Sequence, residues 1–216
     1  MNNKTFKLSH VLFAALCATQ ATVLHAQTMC TFDVGGTSGD LLNHMKDYQL
    51  AVKGWGVTDF NLKVYQSEGE AVSDYKKGLC DGVMATGFAT RDLNSFTSTL
   101  SAVGAIPSNS IAKMALTLMA NPKLAGDMVQ GNNEVAGVLP LGSAYFVTKD
   151  KKINDLLKSE GMRVGVLEVD PSQAPMVKKV GSKPVYITYN NAVNKFRDGQ
   201  IDILPAPALA YEPLEI

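Results

Sequence analysis

The stretch VYQSEGEAVSDYKKGLCDGV, residues 64–83, decides the fold because a similar stretch recurs later in the chain. A shift of 121 positions aligns it, without a gap, with VYITYNNAVNKFRDGQIDIL, residues 185–204. Each copy predicts a β-strand, a polar turn, an amphipathic helix, a glycine that ends the helix, and a second strand. Because such a unit needs a crossover, its two strands are expected to be parallel within one sheet.

The distance between the two copies predicts two similar α/β lobes. We place the first lobe at residues 27–145 and the second at residues 146–216, with a hinge within residues 134–148, which Pro140 and Gly142 interrupt. The alternative is one long sheet that carries two ordinary strand-helix-strand units. On these bounds the second lobe is short for a well-buried core, so we expect it to be incomplete.

Residues 1–26 have the pattern of a secretory signal sequence. Lys4 and Lys7 precede a short apolar run, and small residues lead to a predicted cleavage site after Ala26. The apolar run is too short to span a bilayer, which makes a retained anchor the weaker alternative. We therefore predict a periplasmic protein with no membrane insertion after removal of the signal.

The charge balance excludes one class of partner. Without Lys4 and Lys7 the chain keeps 18 basic and 20 acidic residues, so the exported protein is nearly neutral. It has no basic run or basic-aromatic stripe that could hold a polyphosphate backbone. Nucleic acid is therefore not a predicted partner.

Two cysteines, Cys30 and Cys80, remain after removal of the signal, and export places them where disulfide bonds form. Cys30 opens the first predicted strand, while Cys80 opens the strand that closes the first repeat copy. If those strands are parallel neighbours, the two sulfur atoms lie level with each other. We predict a disulfide bond between them, with two buried free thiols as the alternative.

The turn after the first predicted strand is GGTSGD, residues 35–40. Asp40 is expected to cap a helix. The expected apolar face of that helix comprises Leu41, Met45, Tyr48, Val52 and Trp55. Free backbone N–H groups at the helix start, with the hydroxyls of Thr37 and Ser38, suit an anionic or polar ligand group. The alternative is a tight strand-to-helix turn whose glycines serve steric needs alone.

The sequence offers little support for catalysis. His44 is the one histidine left after removal of the signal, and it lies within a predicted helix without a Ser or Asp at a suggestive spacing. No metal-binding spacing of Cys, His or carboxylates occurs, so no metal and no cofactor are predicted. We predict that the protein is not an enzyme, although a pocket enzyme with a single carboxylate would leave no sequence spacing to detect.

Ligand binding is better supported, because ligands of open parallel sheets bind beyond the carboxyl ends of the strands, where helices begin. Hydrogen-bonding residues occupy those positions in both predicted lobes. They are Thr37, Ser38, Ser67, Glu68, Thr86 and Arg91 in the first lobe, and Asp170, Ser172, Gln173, Tyr189, Asn190 and Asn191 in the second.

Several motifs resemble those of known proteins. The runs GMRV (residues 161–164), VGSKPV (180–185) and FRDGQID (196–202) are similar to runs of the TRAP-transporter (DctP-type) family of periplasmic solute-binding proteins. A closer resemblance is to solute-binding proteins sometimes labelled RND-type efflux components linked to aminoglycoside resistance. That resemblance rests on CTFDVGGTSGD (30–40), MVQGNNEVAGVLPLGSAYFVT (128–148) and ILPAPALAYEPLE (203–215).

The resemblance implies a two-lobed periplasmic-binding-protein-like α/β fold of type II, with mostly parallel sheets and an incomplete, truncated second lobe. The arginine with which the TRAP family pairs a ligand carboxylate aligns with Gly165. The asparagines that follow the VDG run in that family are replaced around Ala206 and Pro207. Without a bidentate guanidinium anchor, a carboxylate ligand is not predicted.

Our leading hypothesis is binding of a small polar solute in the periplasm for delivery to a membrane transport system. The first alternative, which the efflux label suggests, is an accessory component of aminoglycoside efflux that would partner a membrane efflux component. The second is an enzyme on a binding-protein scaffold, with a carboxylate in its pocket.

Overall fold

The structure is a computed structural model that describes residues 26–212 apart from residues 58 and 103. The predicted signal sequence therefore lies outside the described residues except for Ala26. The strands are β1 (Gln27–Phe32), β2 (Phe60–Tyr65), β3 (Gly82–Met84), β4 (Val129–Gln130), β5 (Asn133–Glu134), β6 (Ala144–Thr148), β7 (Arg163–Leu167), β8 (Lys183–Ile187) and β9 (Ile203–Pro207). The α-helices are α1 (Asp40–Gly54), α2 (Glu68–Lys76), α3 (Ser95–Leu100), α4 (Asn109–Met119), α5 (Gln173–Lys179) and α6 (Ala192–Arg197).

The strands form two larger sheets and one small hairpin. The first sheet has the order β2-β1-β3 with all strands parallel, and the second has the order β6-β9-β7-β8. In the second sheet only β6 runs antiparallel to its neighbour, while β4 and β5 form the hairpin. Since the two repeat copies lie in different sheets, the single-sheet alternative is wrong and the two-lobed, mostly parallel α/β fold is confirmed.

Both repeat copies form the predicted strand-helix-strand unit. The first is β2-α2-β3 and the second is β8-α6-β9. Each helix is followed by a glycine at positive φ, Gly78 at 74° and Gly199 at 67°, a backbone conformation that side chains with a Cβ rarely adopt. The two strands of each copy share a sheet but are not adjacent, because β1 or β7 runs between them.

Each repeat copy has an aspartate at the same position, Asp81 in the first and Asp202 in the second. In both sheets this aspartate binds the backbone of an interior strand. The Asp81 carboxylate accepts a hydrogen bond from the Thr28 N–H at 2.8 Å, and the Asp81 N–H donates to the Thr28 carbonyl. Asp202 makes the same two contacts with the backbone of Arg163, also at 2.8 Å. It also receives the Arg163 guanidinium, with an Nη2 to Oδ1 distance of 2.6 Å.

The Asp202 contacts predict an acid-sensitive contribution to stability. The Arg163 guanidinium holds the pKa of Asp202 in the folded protein below its ordinary value. The stabilisation from ionised Asp202 is therefore complete above the pKa of an aspartate in the unfolded chain, near 3.9. It is lost as the pH falls through the lower pKa of the folded state. We expect Asp202→Asn to lower the free energy of unfolding by about 1–2 kcal/mol at pH 7. In urea titrations the difference should shrink below about pH 4.

Asp198→Asn, at an exposed position in the same segment, is the matched control. A constant difference down to pH 2 would contradict this account.

The predicted disulfide bond between Cys30 and Cys80 is confirmed, with a Cα–Cα distance of 5.7 Å. Both cysteines are buried in the core of the first lobe, together with Phe32, Tyr65 and Ala71. In the second lobe the shared aspartate contacts align Cys30 with Gly165 and Cys80 with Ile201. A Cβ added at Gly165 would contact the Cδ1 atom of Ile201 at 3.2 Å, so apolar packing occupies the place of the disulfide bond there.

The helix after the first turn differs from its prediction in two details. Gly39, not Asp40, is the N-cap of α1, and Asp40 is its first residue. Leu42 and Val52 are buried, whereas Tyr48 and Trp55, expected on the apolar face, are 45% and 74% exposed. Tyr48 instead packs edge-to-face against Trp55 and Phe60 near the surface.

The connection between the two sheets runs from the hairpin to β6. Residues 135–143 have no regular secondary structure, and β6 begins at Ala144 and pairs with β9 of the second sheet. The change of sheet therefore precedes the predicted lobe boundary at residue 145 by a short distance. Among the described residues, no helix is both long and apolar enough to span a bilayer.

Candidate functional site

The turn after β1 is held by a residue that the sequence did not single out, Asp33. Its carboxylate is buried and accepts hydrogen bonds from the N–H groups of Gly35 and Leu42, both at 2.8 Å. A Cβ at Gly39 would overlap this carboxylate, which explains the glycine there. The Leu42 N–H at the start of α1 is thus bound by the protein's own carboxylate, and ligand binding at this turn stays a prediction. Thr37 and Ser38 are exposed beside it.

Glu68 is the least accessible of the predicted ligand-binding residues that belong to the first lobe. It begins α2, directly after the N-cap Ser67, and is 3% exposed. Its Oε1 atom accepts a hydrogen bond from the Thr86 N–H at 2.5 Å, which links the carboxyl end of β3 to the start of α2. Its Oε2 atom accepts no hydrogen bond from any described residue. Burial raises the pKa of Glu68, and the hydrogen bonds with Thr86 oppose that rise.

Tyr189, a residue of the second lobe, contacts the core of the first. It follows β8, yet it packs against the buried cluster around Cys30, and its ring lies 5.4 Å from the ring of Phe32 between centroids. Burial, and then the nearby charge of Glu68, raise the pKa of the Tyr189 hydroxyl well above its ordinary value. The phenol is therefore neutral at physiological pH and lies close to the Glu68 carboxyl.

An ion pair forms a second link between the lobes. The Nη2 atom of Arg91 lies 3.4 Å from the Oδ1 atom of Asp170, which is 3% exposed. The same oxygen accepts hydrogen bonds from the N–H group of Ser172 at 3.1 Å and from its hydroxyl at 2.6 Å. Asp170 thus orders the turn before α5 and binds the first lobe at the same time.

The structure brings together some of the predicted site residues, which we call the interlobe cluster. Its members are Glu68, Thr86 and Arg91 of the first lobe, with Asp170, Ser172 and Tyr189 of the second, and it adjoins Phe32. Side chains of other predicted residues bind nearby backbone: Ser67 accepts from the Glu70 N–H, Gln173 from the Leu167 N–H, and Asn191 from the Thr188 N–H. Asn190, like Thr37 and Ser38, is exposed.

Sequence reasoning missed Asp33 and Phe32. Asp33 directly follows a predicted strand and precedes a glycine pair, which was a usable signal for a side chain that binds the turn backbone. Phe32 carried no such signal, because its contact with Tyr189 joins residues from different lobes.

The interlobe cluster brings several kinds of polar side chain together. It offers carboxylates, a guanidinium, hydroxyls and an aromatic face, and its one hydroxyl-carboxylate contact, from Ser172 to Asp170, involves a carboxylate that also pairs with Arg91. Within the described part of the chain, no three His, Cys, Asp or Glu side chains meet in a group that could hold a metal ion.

The family model for solute-binding protein AdeT 1/2 matches residues 50–216. The chain belongs to the AdeT 1/2 solute-binding protein family. The protein named probable solute-binding protein AdeT1 of Acinetobacter baumannii is 40% identical over 185 residues, which cover 86% of this chain and 60% of that relative. The protein named probable solute-binding protein AdeT2 of the same organism is 36% identical over 116 residues, which cover 54% of this chain and 49% of that relative. The chain thus spans about three fifths or less of these curated AdeT relatives.

The fold of this AdeT chain is similar to that of solved TRAP periplasmic solute-binding proteins. A TRAP periplasmic solute-binding protein from Sulfitobacter sp. NAS-14.1 with bound β-D-galacturonate matches with a TM-score of 0.69 at 15% identity, covering 88% of this chain and 64% of that one. One from Desulfovibrio salexigens with bound orotic acid matches with a TM-score of 0.70 at 11% identity, covering 88% and 61%. The expected resemblance and fold class are confirmed, and at these identities the likeness concerns the fold.

Proposed function

We propose that this AdeT-family chain binds a small polar solute in the periplasm and delivers it to a membrane transport system. The observation that carries the proposal is the interlobe cluster, in which polar side chains from the carboxyl ends of both sheets meet directly. Ligands of open parallel sheets bind at those ends, and two-lobed binders close on them there. Family membership and the solutes bound by the structural neighbours support the same function.

The interlobe cluster singles out six of the twelve candidate residues. Glu68, Thr86, Arg91, Asp170, Ser172 and Tyr189 would contact the solute or the closed interface. Residues 27–145 and 146–216 would form the lobes, and residues 134–148 would contain the hinge. In this proposal a solute would replace part of the direct contact between Tyr189 and the first lobe.

The remaining features of the proposal concern location and partners. Residues 1–26 would direct export and be removed after Ala26, and the transport partner would receive the closed, loaded form. The Asp170 carboxylate that accepts from the Ser172 hydroxyl also pairs with Arg91, which makes it a weak base and favours binding over catalysis. The accessory role in aminoglycoside efflux stays a prediction, since no contact among the described residues favours it.

A thermal-shift screen with polar metabolites tests the proposal. A solute at about 100 times its Kd stabilises its protein by roughly 2.7 kcal/mol, so we expect at least one compound to raise the Tm clearly. We expect Tyr189→Ala to lose that shift, because its ring joins the lobes at the site. Tyr186→Ala is the matched control, since Tyr186 lies in the same segment but is 53% exposed.

The outcomes of the screen separate the possibilities. A shift that survives in the Tyr189→Ala variant would place binding away from the interlobe cluster. A folded protein that no metabolite stabilises would contradict solute binding itself.

A further inference from the structure

Glu68 has a hydrogen-bonding capacity that the folded chain does not use. The side chain is 3% exposed, and of its two oxygens only Oε1 has a partner, the Thr86 N–H. The Oε2 atom is buried and accepts no hydrogen bond from a described residue. A buried polar atom without a partner costs free energy, so its retention calls for an explanation.

The buried carboxylates of Asp33 and Asp170, by contrast, have polar partners in the folded chain. Asp33 accepts from the backbone of Gly35 and Leu42, and Asp170 accepts from Ser172 and pairs with Arg91. The charge of Arg91 is therefore already matched by Asp170. What remains in the interlobe cluster is an acceptor atom on Glu68 and the negative charge that it carries when ionised.

We propose that Glu68 is the anchor for a positively charged donor group, such as a primary ammonium, on the solute. The proposal rests on the function proposed above and specifies the class of solute. Such a group would donate to Oε2, complete the hydrogen bonding of the carboxylate and balance its charge within one contact. The aromatic face of Tyr189, in the same cluster, also favours a cation.

A competing possibility is that neutral Glu68 donates a hydrogen bond from Oε2 to an anionic solute. Burial, which raises the pKa of Glu68, makes a neutral form accessible. An anion would then meet the buried carboxylate of Asp170 in the same cluster, while the guanidinium of Arg91 is already paired. The two possibilities predict opposite preferences for the charge of the solute.

Matched compounds distinguish them. We would measure the Tm of the whole chain with two series in which one skeleton carries different groups: D-galactosamine, D-galactose and D-galacturonate, then 1,4-diaminobutane, 1,4-butanediol and succinate. We expect an amine member to raise the Tm by about 5 °C or more at saturation, with smaller shifts from its neutral and acidic partners. Glu68→Gln should weaken amine binding about tenfold or more. Glu70→Gln, two residues along and exposed, should leave it unchanged.

Each outcome decides something. A larger shift from the carboxylate members, or equal amine binding by the Glu68→Gln variant, overturns the role of Glu68 and leaves solute binding intact. If no amine binds while other metabolites of the broader screen do, the role of Glu68 is likewise overturned. If nothing stabilises the folded protein, both proposals are overturned. The preference of the unmodified protein gives the sign of the recognised charge, so the test stands even where the variant folds poorly.

Discussion

Replacing Cys30 with Ala and Cys80 with Val should lower the free energy of unfolding by roughly 4 kcal/mol, the loop-closure value for a cross-link of this span. The bond joins residues 50 positions apart and fastens β1 to the segment that enters β3, so the unfolded chain loses much freedom when it is present. Both cysteines are buried, at 0% and 5% exposure, and the variant keeps apolar side chains at these positions. Denaturant unfolding followed by circular dichroism measures the difference.

A reducing agent provides the control for this prediction. It should destabilise the unmodified protein to a similar extent and leave the double variant unchanged, since the variant has no bond to reduce. The second lobe holds Gly165 and Ile201 in the corresponding places and should not respond directly. Equal unfolding midpoints for the unmodified protein and the variant would show that packing alone holds the first lobe.

Gly165→Arg should prevent folding rather than create a carboxylate site. The resemblance drawn from the sequence implies that this position corresponds to the arginine that pairs with carboxylate ligands in the TRAP family, but here it faces the core of the second lobe. A Cβ on Gly165 would lie 2.8 Å from the Cδ1 atom of Ile187 and 3.2 Å from that of Ile201. An unpaired guanidinium buried among these groups costs about 3–5 kcal/mol or more, a large share of the stability of a domain.

Soluble yield and thermal unfolding measure this effect, and Gly165→Ala is the matched control. The alanine adds a single methyl group against the flexible end of Ile187, so we expect a cost of about 1–3 kcal/mol. A Gly165→Arg variant that is as stable as the unmodified protein and binds D-galacturonate would contradict the assignment of this position to the core.

The repeat shows which part of the fold was predictable. Both copies form strands at Val64–Tyr65 and Val185–Tyr186, and a glycine follows each helix, Gly78 and Gly199. These features were predictable because the β-strand preference of a residue and the ability of glycine to adopt positive φ depend on the local sequence. The disulfide bond was predicted from strands expected to begin at Cys30 and Cys80. The pairing is correct, but β1 begins at Gln27, β3 begins at Gly82, and Cys30 lies opposite Val83 in the register. Helix α1 was predictable as a helix. Which of its leucines is buried was not predictable, since Leu42 rather than Leu41 is buried.

The candidate site was predictable as a location and not as a set of contacts. The rule that ligands bind beyond the carboxyl ends of strands drew attention to Glu68, Thr86, Arg91, Asp170 and Tyr189 without indicating that they meet. It also included Gln173 and Asn191, whose side chains bind their own turns, and it omitted Asp33. Short-range hydrogen bonds to backbone compete for such side chains, and their outcome depends on the turn geometry.

The sequence by itself determined two copies of one strand-helix-strand unit and their glycine-terminated helices, because these follow from residue spacing along neighbouring segments. It also left Cys30 and Cys80 as the two cysteines available to pair after removal of the signal. Only the tertiary structure decided that Tyr189 enters the first lobe, that Arg91 pairs with Asp170, and that Glu68 is buried with one oxygen free. The contact of Arg91 with Asp170 joins residues 79 positions apart, and that of Tyr189 with Phe32 likewise joins residues of different lobes. Their geometry depends on how the lobes pack together, which no local pattern encodes.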